Sequence, residues 1–345
     1  MSFDAAQLPT PFAFNDSEFS WYIFEVVGKR RFAGLVSLHR TGPRALSVTP
    51  GLQLLSGRDL PAPLRALVPS WLPIVSPVKV ATDDRPIFTA ALYDLDARTQ
   101  PILVEEVLEH AAFDPATFTN RGASAIGEGT LRVTSPRFSL ELRVRADKPA
   151  VVFGDGTPEL RHSRIVTSYV QRPRLAITGV ITLDGERCTK LAGEGVHDHQ
   201  WLRVTAPNLK WIWPHLRLAD GRELTGYVIR ESGTRTADAG SGRELGRGGW
   251  IVERDGRVRA IDFDVEALVH IDTARGRVPT KFRVTGDGLD LEIDHVVAAP
   301  WLHMAAFGEV VDGGIYEGPI EVRGHPTIRG WIEVMDAAHV RLSSS

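Results

Sequence analysis

Residues 175–185 read LAITGVITLDG, and this stretch decides the fold class. Apolar and polar side chains alternate along it, as they do in a strand with one buried face and one exposed face. The stretch ends in Asp184-Gly185, a pair that suits the type I′ turn of a β-hairpin, because both central residues of that turn need positive φ. It therefore predicts a strand that turns back into an antiparallel hairpin.

The same pattern recurs along the chain. Residues 138–144 (FSLELRV) and 261–265 (IDFDV) alternate with the same period of two. Two short helices are also predicted, over residues 61–68 and 104–113. Asp-Gly pairs separate the alternating segments at six places: Asp155-Gly156, Asp184-Gly185, Asp220-Gly221, Asp255-Gly256, Asp287-Gly288 and Asp312-Gly313. We expect an all-β fold built from antiparallel hairpins, with few short helices.

Composition excludes several function classes. Lys and Arg total 40 against 43 Asp and Glu, so the basic excess of a nucleic-acid-binding protein is missing. No run of 18 apolar residues predicts a membrane span. The single cysteine, Cys188, allows neither an intrachain disulfide nor a cysteine metal cage. The N-terminus lacks the basic and apolar regions of a signal peptide, so we expect a cytoplasmic protein.

The length of 345 residues fits about two domains. Aromatic strands near Trp21 and Trp211 each open a series of short strands, which indicates two similar β modules. We place the boundary between residues 193 and 194, giving an N-terminal domain over 1–193 and a C-terminal domain over 194–345. A barrel of about eight strands encloses one small ligand.

The densest group of polar and aromatic side chains lies in residues 195–201, GVHDHQW. On an extended strand, His197, His199 and Trp201 share one face, and Asp198 and Gln200 share the other. The alternation itself thus separates the acid from the histidines, unless a β-bulge changes its direction.

A second group follows at residues 211–215, WIWPH, where Trp211, Trp213 and His215 share a face. Tyr227 lies on the next strand. Three interpretations compete. The histidines can be half of a metal site. The whole group can be core packing. It can also line an apolar pocket, where His or Asp moves protons and aromatic faces stabilise a cation.

The sequence resembles the carotenoid 1,2-hydratase (hydroxyneurosporene synthase) and AttH-like family of tandem lipocalins. The segments that carry the resemblance are 169–179 (YVQRPRLAITG), 183–185 (LDG) and 195–201, with looser matches at 17–22, 91–96, 316–324 and 330–334. The family's acid-histidine-tryptophan motif falls on Asp198, His199 and Trp201, and its later aromatic pair falls on Trp211 and Trp213. Ile212 stands where the family often has an acid.

The resemblance implies two tandem lipocalin-like domains and no metal or organic cofactor. It also implies a hydrophobic, unsaturated terpenoid or polyketide as substrate. Family members hydrate a terminal alkene or act as cyclases, including Diels–Alderases.

For hydration or cation-driven cyclisation, the chemistry needs a proton donor in a dry site. Burial keeps a carboxylic acid protonated near neutral pH. We therefore expect Asp198 as the acid, with His199 and Tyr227 as further catalytic residues. The expected substrate-binding residues are Trp21, His197, Gln200, Trp201, Trp211, Trp213 and His215.

Two alternatives stay open. A pericyclic cyclase needs no acid, because holding the polyene in a reactive conformation and donating one hydrogen bond to a carbonyl is enough. Gln200, His215 or Tyr227 is the candidate donor. A lipocalin-type carrier needs only an apolar cavity.

Overall fold

The structure of the chain is a computed structural model. The residues described are 17–41, 52–55, 74–77, 87–107, 117–119, 125–127, 129–153, 161–162, 165–204, 209–231, 243–273, 276–297, 301–302 and 314–336. No helix that could cross a bilayer is found in these ranges.

Among the described residues, the first sheet contains twelve antiparallel strands. They are β1 (Ser17–Val27), β2 (Arg31–Thr41), β5 (Ile87–Asp94), β6 (Ile102–Val107), β7 (Thr117–Thr119), β8 (Ala125–Gly127), β9 (Thr130–Thr134), β10 (Phe138–Ala146), β11 (Val151–Phe153), β12 (Arg161–His162), β13 (Ile165–Leu183) and β14 (Glu186–Val204). Their order is β6-β5-β2-β1-β14-β13-β10-β9-β8-β7, and β11 and β12 pair with β13. Between them in sequence, β3 (Leu52–Leu55) and β4 (Ile74–Pro77) form a separate pair.

In the ranges given above, the second sheet contains ten antiparallel strands. They are β15 (Leu209–Arg217), β16 (Glu223–Glu231), β17 (Arg243–Val252), β18 (Val258–Ile261), β19 (Phe263–Thr273), β20 (Gly276–Gly286), β21 (Leu289–His295), β22 (Trp301–Leu302), β23 (Gly314–Val322) and β24 (Arg329–Asp336). Their order is β18-β17-β16-β15-β24-β23-β21-β20-β19, and β22 pairs with β23. The predicted all-β, antiparallel class is confirmed.

The period of two is visible in the burial of β10. Phe138, Leu140, Leu142 and Val144 are buried, whereas Glu141 and Arg143 between them are exposed. Alternate residues of a strand point to opposite faces, so this pattern places one face of β10 in the core. The chain forms strands here because its apolar residues match that geometry.

The Asp-Gly pairs form two kinds of turn. At Asp184-Gly185 and Asp287-Gly288 both residues have positive φ, as the predicted type I′ turn requires. At the pairs beginning with Asp220 and Asp255 only the glycine does. There the Asp carboxylate accepts a hydrogen bond from the backbone N–H two residues later, at 3.0 Å in each turn. The pairs at 155–156 and 312–313 lie outside the described residues.

The helix predicted over 104–113 is wrong where it overlaps β6. Ile102 and Val104 pack against the first core, whereas Leu103 packs against a different cluster, between the two sheets. Contacts on alternating sides are those of a strand, so the local period is two rather than 3.6. The rest of that segment and the helix predicted over 61–68 lie outside the described residues.

Each sheet encloses a core of its own, and a third cluster joins them. Phe24, Leu92 and Leu142 lie in the first core, and Ile212, Phe282 and Ile332 lie in the second. The third cluster, called the sheet junction below, takes residues from both sheets. Its buried members are Ile23, Ala33, Leu35, Ala91, Tyr93, Leu95, Val196, Val296, Val297 and Trp331.

The strand β14 contains the predicted domain boundary between residues 193 and 194. On both sides of that boundary β14 pairs with β1 and β13 of the first sheet. The exact boundary stays a prediction, whereas the division of the strands into two large sheets is observed.

Candidate active site at the sheet junction

The strand β14 presents Asp198 and His199 to different surroundings. In the sheet, Asp198 lies between Trp21 of β1 and Gln171 of β13. Its neighbour Val196, two residues back on the same face, belongs to the sheet junction. Asp198 therefore points toward the second sheet, as the strand alternation requires.

Burial changes the acidity of Asp198. The residue is only 6% exposed. Loss of water raises its pKa from 3.8 to about 7, because the charged form is poorly solvated there. Gln171 opposes this rise, and the negative charge of Glu333 adds to it. Near neutral pH, a protonated carboxylic acid is thus available at the junction.

Two glutamates from the second sheet face Asp198. Glu317 of β23 and Glu333 of β24 are directly opposite each other in the sheet. Both are buried. The negative charge of Glu333 raises the pKa of Asp198, and the negative charge of Asp198 raises the pKa of Glu317. Carboxyl groups from three strands and two sheets therefore lie close enough to interact electrostatically.

Indole N–H groups hold the two glutamates. Trp331 donates to Glu317 Oε1 at 2.8 Å, and Trp211 donates to Glu333 Oε1. The Tyr93 hydroxyl, from the first sheet, donates to the backbone carbonyl of Glu317. The two indoles thus hold the carboxyl groups within the second sheet, and Tyr93 holds the backbone of Glu317 from the first sheet.

The two glutamates differ in acidity. Burial raises the pKa of Glu333 to about 7, and the Trp211 hydrogen bond opposes that rise. Burial raises the pKa of Glu317 well above its ordinary value, and the charges of Glu333 and Asp198 raise it further. Like charges at close range cannot all ionise together, so Glu317 keeps its proton when Glu333 loses one.

Three predicted aromatic residues, Trp21, Trp211 and Trp213, lie beside this carboxyl cluster, which consists of Asp198, Glu317 and Glu333. Trp21 and Trp213 are half-buried against the sheet junction. Trp211 and Trp213 also contact a fourth cluster, which contains Tyr227. Burial raises the pKa of Tyr227 to about 12, so its hydroxyl remains protonated and can donate a hydrogen bond.

His215 lies on the same side of β15 as Trp213, at 6.1 Å between ring centroids. Burial, together with the nearby cations Arg217 and Arg174, lowers its pKa to about 3. The ring is therefore neutral near pH 7. It cannot supply the proton that protonation of an alkene requires.

His197 points to the other side of β14. Its ring stacks on Tyr22, a residue of the first core, at 4.1 Å between centroids. Arg172 donates to Nδ1 at 2.8 Å, so the proton is on Nε2, which lies 2.8 Å from Ser20 Oγ. Burial and the Arg172 charge lower its pKa well below the ordinary value. These contacts are those of a neutral packing residue.

The other predicted residues on β14 lie close by. The His199 ring is buried, 6.5 Å from that of His197, and thus away from Asp198. Gln200 is half-buried, on the Asp198 side of the strand. Trp201 is in β14, opposite Glu18, but its side chain is outside the described part of the structure. Within the described ranges, no three His, Cys, Asp or Glu side chains are arranged to hold a metal ion.

The sequence analysis did not predict three site residues that lie beside the sheet junction: Gln171, Glu317 and Glu333. A signal for Glu333 exists in residues 331–334, WIEV, where one acid interrupts an apolar strand. Lys, Arg, Asp and Glu are rarely fully buried without a partner, so an acid in such a strand marks a special environment.

A family model described as AttH-like matches residues 98–336, more than two thirds of the sequence. The chain belongs to the AttH-like family. The matched part includes Asp198, both glutamates, Trp211, Trp213 and Trp331, whereas Trp21 and Tyr93 precede it. A search of curated proteins finds no match to this AttH-like chain.

Two crystal structures share the fold of this AttH-like protein. One is of a protein assigned as AttH from Nitrosomonas europaea, with 17% identity, a TM-score of 0.65 and 97% of each chain covered. The other is of kievitone hydratase from Nectria haematococca, with 15% identity, a TM-score of 0.59, and 94% of this chain and 90% of that chain covered. The predicted tandem lipocalin-like architecture is thus confirmed.

Proposed function

We propose that this AttH-like protein is a hydratase-like enzyme that adds water to a hydrophobic, unsaturated small molecule. The observation that carries the proposal is the carboxyl cluster, in which Asp198 of one sheet faces Glu333 of the other. The fold shared with kievitone hydratase supports the reaction class. A terpenoid or a polyketide is the substrate class that the sequence resemblance supports.

The chemistry requires an acid and a base in a site shielded from water. Protonated Asp198 gives its proton to one alkene carbon, so the π bond breaks and a C–H bond forms. The faces of Trp211 and Trp213 stabilise the cation that results. Water then forms the C–O bond, and its surplus proton passes to a carboxylate of the cluster, for which Glu333 is our candidate. The net reaction consumes one water, and transfer of a proton from Glu333 back to Asp198, directly or through solvent, restores both groups to their starting states.

Isotope labelling tests the reaction. The protein is incubated with neutral terpenoid and polyketide alkenes in deuterated water, and separately in water labelled with ¹⁸O. Mass spectrometry should find a product with one carbon-bound deuterium, or one ¹⁸O. Conversion without either label would instead support a pericyclic cyclase, and tight binding of the alkenes without conversion would support a carrier.

Matched variants test the residues. General acid–base catalysis contributes about 10²–10⁴-fold, so Asp198→Asn and Glu333→Gln should each lower kcat by at least about 100-fold. Glu141→Gln is the control, since Glu141 is exposed on β10 and pairs only with Arg132 among the described residues. Full activity in both junction variants would show that the carboxyl cluster is structural.

A further inference from the structure

A buried amide with incomplete hydrogen bonding lies beside the carboxyl cluster: Gln171 interacts with Asp198 and lowers the pKa of that carboxyl. Gln171 is 0% exposed, and neither its Oε1 nor its Nε2 meets a partner of good geometry in the described part of the chain. Most buried polar groups are hydrogen-bonded, and an unsatisfied one is destabilising. Gln171 therefore indicates a group that arrives from outside the protein.

Two oxygen atoms of the carboxyl cluster also lack hydrogen bonds of good geometry. Asp198 Oδ1 and Glu317 Oε2 are buried and, among described residues, have no hydrogen-bond partner. Gln171 is directly opposite Asp198 in the pairing of β13 and β14, so their side chains lie on one face. Together they offer a ligand both N–H and O–H donors and carbonyl acceptors. A hydroxyl, a carbonyl or an amide matches such a set.

The charge of the site restricts the ligand further. Three carboxyl groups surround the position that Gln171 faces, and any that is ionised repels a ligand carboxylate. Among the described residues on this side of the sheets, Arg217 is already engaged, because it lies 3.5 Å from Glu25 and 3.6 Å from Glu194. Arg172 contacts His197 on the opposite side of β14. A ligand anion would thus be buried without a counter-ion, which is strongly unfavourable.

We propose that the sheet junction binds a neutral unsaturated molecule by a hydroxyl, carbonyl or amide head group held between Gln171 and Asp198, and that the carboxyl cluster rejects carboxylate ligands. This inference specifies the substrate class of the proposed enzyme. Only the requirement that the ligand is an alkene rests on the proposed function. Binding itself requires no turnover.

Three probes with one skeleton test the head group. Cinnamyl alcohol, cinnamamide and cinnamate share a phenylpropene frame, and only cinnamate is an anion at pH 7. Calorimetric titration of the whole protein should give at least tenfold lower Kd values for the two neutral probes than for cinnamate. Equal affinities, a preference for cinnamate, or no binding of any probe would overturn the proposal.

Two variants locate the effect. Gln171→Leu should weaken binding of both neutral probes about tenfold, whereas Gln100→Leu, the same change at an exposed position between β5 and β6, should leave their Kd values unchanged. The double variant Glu317→Gln/Glu333→Gln should gain affinity for cinnamate by about tenfold, a gain that misfolding does not produce. Unchanged discrimination in the double variant would contradict the role of the carboxyl cluster.

The binding experiment and the labelling experiment have independent outcomes. A protein that discriminates among the probes but hydrates no alkene keeps this inference and loses the proposed function. A protein that hydrates an alkene but binds cinnamate as tightly as cinnamamide keeps the function and loses the inference.

Discussion

Burial of Asp198 affects both its acidity and the stability of the fold. Its pKa rises from 3.8 to about 7 on folding, so the folded protein holds this proton more tightly than the unfolded chain does. Burial of the Asp198 carboxyl therefore does not lower the free energy of unfolding below pH 4. The loss grows as pH rises from about 4 to about 7. At 1.36 kcal/mol per pKa unit, the cost reaches up to about 4 kcal/mol.

Asp198→Asn should accordingly stabilise the fold at pH 7.5, by up to about 4 kcal/mol, and change little at pH 4. Urea unfolding at both values measures the difference. Asp94→Asn is the control of opposite sign, because Arg30 and the backbone N–H groups of residues 96 and 97 hold the pKa of Asp94 below its ordinary value. Destabilisation by Asp198→Asn at pH 7.5 would contradict the raised pKa.

The indole of Trp211 controls the acidity of Glu333. Its N–H donates to Glu333 Oε1 and lowers a pKa that burial raises to about 7. Trp211→Phe removes this donor and keeps an aromatic ring, so the pKa of Glu333 should rise above 7. NMR titration of ¹³C-labelled glutamate side chains measures the shift, and Trp213→Phe should leave it unchanged. A fall in the pKa would refute the assignment.

At the scale of the elements, β14 must lie close against β1 to position Asp198. Gly193 permits this approach. A Cβ at that position would lie 1.9 Å from the backbone oxygen of Glu25 and 2.7 Å from Cα of Val26. The two strands would have to separate along the edge that carries both Trp21 and Asp198.

Gly193→Ala should therefore destabilise the protein by about 3 kcal/mol, the upper part of the range for overpacking. Thermal and urea unfolding measure the loss. Ala192→Ser is the matched control at the neighbouring exposed position of β14 and should change stability by less than about 0.5 kcal/mol. Equal stabilities of the two variants would show that β1 and β14 tolerate separation.

At the scale of the molecule, buried charges connect the two sheets. Lys148, which follows β10 of the first sheet, donates to Glu223 Oε2 of the second at 2.6 Å. Arg174 of β13 lies 2.6 Å from the other oxygen of Glu223. Glu223 is fully buried, so this contact is shielded from solvent and holds the sheets together beside the junction.

Glu223→Gln leaves the Lys148 ammonium buried without its counter-ion, and loss of one partner of a buried pair costs about 3–5 kcal/mol. Urea unfolding should show a loss of this size. Glu141→Gln breaks an exposed ion pair with Arg132 and should cost less than about 1 kcal/mol. Similar losses in the two variants would indicate that the buried pair does not stabilise the sheet contact.

The sequence predicted the parts of the fold that depend on local pattern. Alternation over 138–144 and 175–183 predicted β10 and the end of β13, and Asp184-Gly185 predicted the turn to β14. The prediction was wrong at residues 104–107, because the acidic side chains there were interpreted as one face of a helix. The two-sided packing of β6, which decides against a helix, depends on neighbours distant in sequence.

The site was predictable only in part, for the same reason. Asp198 and the Trp211 and Trp213 pair stand out as motifs in the sequence, and strand alternation separates Asp198 from the histidines beside it. Glu317 lies 119 positions after Asp198 and Glu333 lies 135 after it. Nothing local indicates that these three carboxyl groups meet.

The sequence alone thus determined the all-β class, the hairpin turns and the face of β14 on which Asp198 lies, because each depends on alternation within a few residues. The tertiary structure alone decided that Asp198 faces Glu317 and Glu333, and that Gln171 lies beside them. Those neighbours exist only once the two sheets pack together. Packing removes the water, and the loss of water raises the pKa values of Asp198 and Glu333 to about 7.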